Sequence, residues 1–403
     1  MGRSDEVISQ LVYRVDRSHA WNYMHAPALP RIRRLSPGPG GQLFSHTLNS
    51  PLGIAAGPLL NARWVEAYAR LGYDVLTYAT VRSRPTPALS LPNIRIVENR
   101  DDVAITGRRP GENGSATIAV SLGLPSMEPD VWRKDVRRAK ERIRPGQVLV
   151  VSVVGTADPA QGVDAFVADY AQCAAWAAEA GADVVEAHLA VPNPFGDPGQ
   201  LVYEHVPLSA RILHGMRTSI PVPVVAKLGL FRSPRALHDT ATRLAPWTHG
   251  FVLVHGIPRR VIDESGQAAF EGTGREWAYV VGAQTFPVCS RQVEELLSWR
   301  KAGEWPHAVL AVGGITTVER ARHLLREGAN AVLVATAALA NPLFAVRFRQ
   351  SATAAVAESL KGASTAPSEP PPGSIARAEP ALEQRLFLAT PSSAASTPRR
   401  SPG

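Results

Sequence analysis

Eight short, nearly continuous apolar segments recur along the chain, and most of them are followed by an amphipathic stretch rich in alanine. Near-continuous apolar runs of this length are typical of strands buried on both faces of a parallel sheet. The segments cover residues 51–56, 73–79, 148–154, 183–189, 222–228, 250–255, 308–312 and 331–335. Eight strand–helix units in succession predict an α/β fold that closes into a (β/α)8 barrel.

An open, doubly wound sheet is the alternative architecture. No G-x-G-x-x-G follows the first strand segment, which favours the closed TIM-type barrel. Helical periodicity is clear in "FVADYAQCAAWAAEAGA" and "TTVERARHLLREGA". Both helices are predicted to end at a glycine, Gly181 and Gly328, as helix C-termini often do.

The two ends of the chain differ in composition from this central part. We predict an N-terminal extension over residues 1–44, a barrel over 45–360 and a disordered Pro/Ser/Ala-rich tail over 361–403, which lacks the apolar surface to repay ordering. The extension mixes Leu, Val, Trp and Tyr with arginines, so it either packs on the barrel or makes a weak contact with a membrane surface. No signal peptide and no run of about 18 apolar residues is present, so a cytoplasmic location is expected.

Composition narrows the possible chemistry. The chain of 403 residues is 45% apolar and contains 2 cysteines, which form neither a disulfide framework nor a metal cluster, so no metal is predicted. The net charge of +8 comes from scattered arginines without an aromatic–basic motif. We therefore expect no nucleic-acid partner.

Glycines and polar residues gather where the eight predicted strands end, which is the face that carries the active site in such barrels. The ends carry Gly57, Thr80, Gly155, His188, Lys227, His255, Gly313-Gly314 and Ala335-Thr336. The last two ends, "AVGGITT" and "ATAALANP", occupy the usual phosphate position of the fold, where glycine N–H groups and a helix N-terminus attract an anion. The alternative is that Gly313 and Gly314 only form a tight turn.

From Asn49 to Phe348 the order and spacing of several motifs resemble the FMN-dependent dihydroorotate dehydrogenase family. "SPLGIAAGPLLNARWVEAYARLGYDVLTYATVRSRP" is similar to its first two βα units, and "VPNPFGDPGQL" to its loop after strand four. "VVAKL" resembles the strand that carries its flavin lysine, "FEGTG" its Gly-x-Ser-Gly turn, and "VGGI" with "EGANAVLVATA" its phosphate end.

The resemblance implies one FMN over the barrel mouth and a small-molecule substrate beside it. Lys227 would lie at the N1–C2 edge of the flavin, although a barrel-end salt bridge is its alternative role. The other residues implied at the cofactor are Ala55, Ala56, Gly57, Thr80 and His255 around the ring, and Gly272, Gly274, Gly313, Gly314, Ala335 and Thr336 at the phosphate. The residues implied at the substrate are Asn61, Ser121 and Asn193.

The chain departs from the family pattern at the substrate positions. The family's base, a cysteine or serine, corresponds to Val191, which cannot accept a proton. Asparagines of the family correspond to His188, to the neighbourhood of Val120, and to His255, and its second lysine falls on Leu60 or at residues 78–79. The flavin frame is thus expected to be retained and the orotate pocket rebuilt. With an ordinary pKa, His188 would either replace the base or bond a backbone carbonyl, and His255 is a second candidate.

Three functions remain open from the sequence. The first is an FMN-dependent oxidoreductase acting on a small cyclic or unsaturated carbonyl compound, with dihydroorotate a doubtful substrate. The second is a flavin-free lyase or isomerase that uses Lys227 as base or Schiff-base amine, and the third a catalytically silent binding barrel. With no cysteine cluster for an iron–sulfur site, electrons would leave through a soluble acceptor or a partner protein. A homodimer is one option for the assembly.

Overall fold

Strands and helices alternate through most of the computed structural model, which describes residues 11–100, 102–106, 116–158, 160–303 and 305–352. In chain order its strands are β1 (Gly41–Leu43), β2 (His46–Leu48), β3 (Leu52–Leu59), β4 (Val75–Val81), β5 (Ile94–Asn99), β6 (Val103–Thr106), β7 (Thr117–Val120), β8 (Val148–Val153), β9 (Val184–His188), β10 (Val224–Lys227), β11 (Gly250–Leu253), β12 (Ile257–Ile262), β13 (Trp277–Gly282), β14 (Ala308–Val312) and β15 (Ala331–Val334). Its α-helices are α1 (His19–Met24), α2 (Ala62–Ala69), α3 (Pro129–Arg142), α4 (Gly162–Glu179), α5 (Val206–Ser219), α6 (Pro234–Leu244), α7 (Phe286–Lys301), α8 (Val318–Arg326) and α9 (Thr336–Ala340).

Eight parallel strands close into a barrel in the order β3, β4, β8, β9, β10, β11, β14, β15 and back to β3. These are the eight strands predicted from the apolar segments, so the (β/α)8 fold class is confirmed. The two predicted helices correspond to α4 and α8. They end at Gly181 and Gly328, whose φ angles of 102° and 112° fit the left-handed C-terminal position.

Side chains alternate between the barrel interior and its outer wall, as strand geometry requires. Val75, Val150, Val225 and Leu310 belong to one apolar cluster inside the barrel, whereas their strand neighbours pack under the surrounding helices. The hairpin of β1 and β2 adds Leu43 and Leu48 to the interior cluster. The barrel interior towards the amino ends of the strands is therefore a packed apolar core. The polar side chains described below lie nearer the carboxyl ends.

A second, five-stranded sheet was not predicted from the sequence. It forms from β5, β6 and β7, which follow barrel strand β4, together with β12 and β13, which follow barrel strand β11. These strands close on a small core that includes Phe270, Val261 and Val280. Both excursions leave the barrel at the carboxyl end of a strand, so this sheet lies on the same side as the predicted site.

The described part of the N-terminal extension packs on the barrel. Leu11 and Tyr13 are buried, and the Val12 amide donates to the Leu339 carbonyl of α9. Trp64 of α2 donates its indole N–H to the Asn22 carbonyl. Within the described residues, no helix is both long and apolar enough to cross a membrane.

Several expectations about organisation stay predictions. The tail over residues 361–403 lies outside the described residues. The domain boundaries, the cytoplasmic location and the homodimer are likewise untested.

Candidate active site

A layer of polar side chains caps the apolar barrel interior at the carboxyl ends of the strands. Ser152, Glu186, His188 and Lys227 follow the inward-facing valines of β8, β9 and β10 at the two-residue spacing that keeps a side chain on one face. All four are almost completely buried, with at most 1% of their surface exposed. Buried polar groups require partners, so their contacts indicate what this layer can do.

Backbone irregularities turn two strand ends towards this layer. The pairing of β3 with β4 shifts register between Ile54 and Leu59, and the pairing of β4 with β8 shifts between Tyr78 and Val81. A bulge changes which face a side chain occupies. Thr80 consequently reaches the interior, where its hydroxyl lies 3.0 Å from Ser152 Oγ. Ala55, Ala56 and Gly57 lie in the other irregular segment.

Lys227 has an anionic partner that the sequence analysis did not identify. Its Nζ lies 3.4 Å from Glu186 Oε1, and both side chains are buried. Charges removed from water must be paired to avoid a large desolvation cost. The salt-bridge alternative for Lys227 is therefore realised. The two-residue spacing of Val184, Glu186 and His188 was the signal that could have placed this carboxylate inside the barrel.

His188 is buried beside Thr80, whose hydroxyl lies 3.3 Å from its Nδ1. Burial lowers the pKa of His188 well below 6.5, and the nearby His255, Lys227 and Arg82 lower it further. The expectation of an imidazole with an ordinary pKa is therefore wrong. The ring is neutral at pH 7 and a weaker base than a solvated histidine, and its Nε2 has no hydrogen-bond partner among the described residues.

His255 completes an aromatic stack above the polar layer. Its ring centroid lies 4.6 Å from that of His188 and 4.5 Å from that of Tyr279, both in edge-on geometry. The Tyr279 hydroxyl donates to the Ala190 carbonyl at 3.0 Å. Burial also lowers the pKa of His255 well below 6.5, with a further contribution from Lys227. Tyr279 thereby links the second sheet to the loop after β9.

The two buried histidines make the protein less stable in acid. An unfolded histidine takes up a proton near its ordinary pKa of 6.5, whereas folded His188 stays neutral. The unfolded state then binds more protons, so stability present above pH 6.5 is lost as the pH falls through this value towards the depressed folded pKa. We expect His188→Gln to reduce the slope of unfolding free energy against pH just below pH 6.5, by up to about 1.4 kcal/mol per pH unit. Urea titrations across this range measure the slope, and an unchanged slope would contradict the assignment.

At the predicted phosphate end, tight packing accounts for the two glycines. Gly314, at φ 68°, lies so close to α7 that a Cβ would stand 2.3 Å from the Phe286 amide nitrogen. A Cβ on Gly313, at φ 118°, would stand 2.7 Å from Cys289 Sγ. Close packing therefore accounts for a glycine at both positions, and contact of their N–H groups with a phosphate stays a prediction.

A cleft of about 540 Å³ opens beside this turn. Thr316, Thr317 and Thr336 line it, and the first residues of α8 and α9 contribute to its wall. Arg347 supplies a positive charge and Glu319 a negative one. Threonine hydroxyls and helix N-termini are groups that bind phosphate, although Glu319 opposes an anion there.

The structure corrects the placement of Gly272 and Gly274, which were expected at the phosphate. Gly272 and Gly274 lie in the turn before β13. The other end of β13 is the one near Gly314, because the carbonyls of Gly314 and of Ala283, just after β13, both accept hydrogen bonds from Arg320. The glycine at that end is Gly282, with φ 113° and a virtual Cβ 2.2 Å from the Ala116 carbonyl. The turn of Gly272 and Gly274 instead leads into Arg275.

Arg275 connects that turn to Ser121, a predicted substrate residue. Its Nε donates to Ser121 Oγ at 3.1 Å, and its Nη2 donates to the Pro92 carbonyl at 2.9 Å. Arg275 is 6% exposed and forms no ion pair among the described residues. Ser121 is therefore held at the end of β7 and lies at the edge of the second sheet.

Two predicted substrate asparagines have structural contacts instead. Asn61 is the N-cap of α2: its Oδ1 accepts from the Arg63 and Trp64 amides and its Nδ2 donates to the Tyr23 carbonyl. Three hydrogen bonds hold this side chain at the start of α2, so its contacts give it a structural role in place of the predicted role at the substrate.

Asn193 closes its own loop. Its Nδ2 donates to Gln200 Oε1 at 2.8 Å, and its Oδ1 accepts from the Phe195 amide. Val191, which corresponds to the base in the resemblance, packs in the apolar cluster that lies under the surrounding helices. The loop after β9 is therefore a closed turn held by its own polar groups and presents no proton acceptor at residue 191.

The two positions that correspond to the family's second lysine carry an apolar residue and a residue that is already hydrogen-bonded. Leu60 is buried, and the Tyr78 hydroxyl donates to Asp135, so neither supplies a second lysine. Among the described residues, no group of three or more His, Cys, Asp or Glu is arranged to hold a metal ion.

A closed parallel barrel with buried ionisable groups at the carboxyl ends of its strands is the architecture of a (β/α)8-barrel enzyme. No family model matches the sequence. The chain is 26% identical over 374 residues to a dihydroorotate dehydrogenase of Dictyostelium discoideum, covering 85% of this chain and 98% of that protein. It is 27% identical over 299 residues to the dihydroorotate dehydrogenase (quinone) of Clavibacter michiganensis subsp. michiganensis, covering 73% and 79% of the two chains. It is 25% identical over 348 residues to that of Pseudarthrobacter chlorophenolicus, covering 81% and 89%. These similarities extend over most of the chain and support the resemblance to the dihydroorotate dehydrogenase family that its motifs indicated.

Proposed function

We propose that the protein is an FMN-dependent oxidoreductase that acts on a CH–CH bond of a small cyclic or unsaturated carbonyl compound. The observation that carries this proposal is the buried ammonium of Lys227 at the carboxyl end of β10, within a family of FMN enzymes. A cation in a water-poor site stabilises negative charge that develops on a bound ligand. The pairing with Glu186 keeps that cation in the barrel when no ligand is present.

A buried nitrogen without a partner supports a polar ligand over the barrel mouth. His188 Nε2, at the carboxyl end of β9, has no hydrogen-bond partner among the described residues. A Cβ on Gly57 would meet no atom within 4 Å, so backbone is accessible there. The residues proposed to hold FMN are Ala55, Ala56, Gly57, Thr80, Lys227 and His255 near the ring, and Thr316, Thr317, Ala335 and Thr336 at the phosphate, with Gly313 and Gly314 shaping that end.

FMN, when bound, would supply the two-electron redox chemistry. The chain's own contribution would be to orient the reactants and exclude water. His188 and His255 present neutral imidazoles, and Ser121 lies at the edge of the second sheet. With Val191 and Val120 at two other positions, this pocket is less polar than one built for dihydroorotate.

The names of the relatives indicate the chemical class of the electron acceptor. Two of the proteins compared above are named as quinone enzymes, which supports a small-molecule quinone as the acceptor. A soluble acceptor of another kind or a partner protein is the alternative.

One FMN per chain is the expected result for the purified protein. Flavin absorbance per chain measures it, and the cofactor released on denaturation identifies it. Protein that is colourless and stays so after incubation with FMN would contradict the proposal. Borohydride trapping of a carbonyl ligand on Lys227 in such protein would favour the lyase or isomerase function instead.

A further inference from the structure

Glu186 is a buried carboxylate for which the proposed reaction has no direct use. It lies on β9, with its Cα paired to Val225, while Lys227 pairs with His188 one layer nearer the mouth. The carboxylate of Glu186 therefore approaches the Lys227 ammonium from the apolar side of the polar layer. Neither of its oxygens accepts a hydrogen bond among the described residues, so the ion pair with Lys227 is its polar contact there.

The charges around the pair show why this carboxylate matters. Lys227 and Arg82 are the cations that act on His188, and both histidines are neutral. Arg82 is anchored to the backbone, with Nη1 donating to the Gly155 carbonyl at 3.1 Å. Glu186 is the carboxylate within 4.0 Å of Lys227. It alone among the described ion-pair partners offsets the charge of that lysine.

We propose that Glu186 is a positioning residue that acts through Lys227 and sets the flavin potential. Its carboxylate holds the ammonium towards the barrel interior and neutralises part of its charge. Lys227 consequently stabilises reduced, anionic FMN less than a free lysine would. This inference rests on the proposed FMN binding and adds a residue with a defined electrostatic role.

Removal of the carboxylate charge tests this role. Glu186→Gln keeps the size of the side chain and is expected to increase the affinity for reduced over oxidised FMN at least tenfold. For a two-electron couple, tenfold corresponds to a rise of about 30 mV in the midpoint potential. Spectroscopic titration against a dye of known potential measures this shift without substrate.

The dependence on Lys227 separates this role from a general effect of charge. Lys227→Met removes the ammonium through which Glu186 is proposed to act. Glu186→Gln added to Lys227→Met should then change the affinity ratio less than twofold. A tenfold change in that background would show that Glu186 acts without Lys227 and would overturn the proposal.

Two further variants control for charge and packing. Glu186→Asp retains the charge and is expected to stay within threefold of the wild-type ratio. Asp183→Asn removes a carboxylate at the opposite end of β9, where it pairs with Lys140 at 2.7 Å, and should leave the ratio unchanged. An unchanged ratio in Glu186→Gln, or loss of its fold, would overturn the inference while leaving the proposed function intact. Wild-type protein without FMN would instead remove the proposed function.

Discussion

Dihydroorotate is expected to reduce the flavin of the wild-type protein at least about 100-fold more slowly than that of Val191→Cys. Oxidation of dihydroorotate removes a proton from C5 and a hydride from C6, and help from a general base is typically worth about 10² to 10⁴ in rate. Val191 supplies no such help and packs among apolar side chains. Anaerobic mixing followed by flavin absorbance measures the rate.

Val191→Ala is the matched control for this comparison, since it removes the same valine without adding a thiol. It should remain as slow as wild type. Fast bleaching by wild type would contradict the prediction. If His188→Ala then abolished that reaction, His188 would be the substituted base despite its depressed pKa. If His188→Ala remained fast, the histidine assignment would fall as well.

Gly314→Ala is expected to destabilise the protein by about 2 to 5 kcal/mol and to abolish flavin retention. Two costs add: the left-handed backbone costs an alanine roughly 1 to 2 kcal/mol, and forcing a methyl group into packed atoms costs about 1 to 3 kcal/mol. The methyl group would stand 2.3 Å from the Phe286 amide nitrogen, which belongs to the first turn of α7. Relief of that contact requires α7 to move away from the phosphate end.

Gly274→Ala is the matched control for Gly314→Ala. Gly274 has a similar φ of 75°, against 68° for Gly314, but a Cβ there meets no atom within 4 Å. Only the backbone cost of about 1 to 2 kcal/mol should appear. Denaturant unfolding measures both variants, and equal losses would show that the contact with α7 contributes nothing.

The strands of the barrel could be predicted because their signal is local. A run such as "VLVVSVV" is apolar on both faces whatever surrounds it, and a glycine such as Gly181 ends a helix through its own φ. The resemblance to the dihydroorotate dehydrogenases was also accessible, because motifs in "VPNPFGDPGQL" and "VVAKL" keep their order. The absence of a base at Val191 is likewise a property of one residue.

The second sheet and the true roles of several candidates were not accessible in this way. Asn61 is of a residue type that often binds ligands, yet its side-chain amide is hydrogen-bonded to the start of α2 and to the Tyr23 carbonyl. Gly272 and Gly274 have the spacing of a phosphate turn, yet β13 separates them from Gly314. In both cases the role of a residue depends on a neighbour far away in the sequence.

By itself the sequence determined the barrel, the resemblance to the dihydroorotate dehydrogenases and the presence of a valine at position 191. Only the tertiary structure decided that Lys227 is paired with Glu186, that Thr80 points inward and that His188 is held neutral. Closure of the barrel sets the register of β9 against β10, and register decides which charges meet. Burial then decides how strongly these charges act. The cost of an unpaired charge depends on its distance from water and on the charges near it in space, and the neighbouring residues in the sequence fix neither.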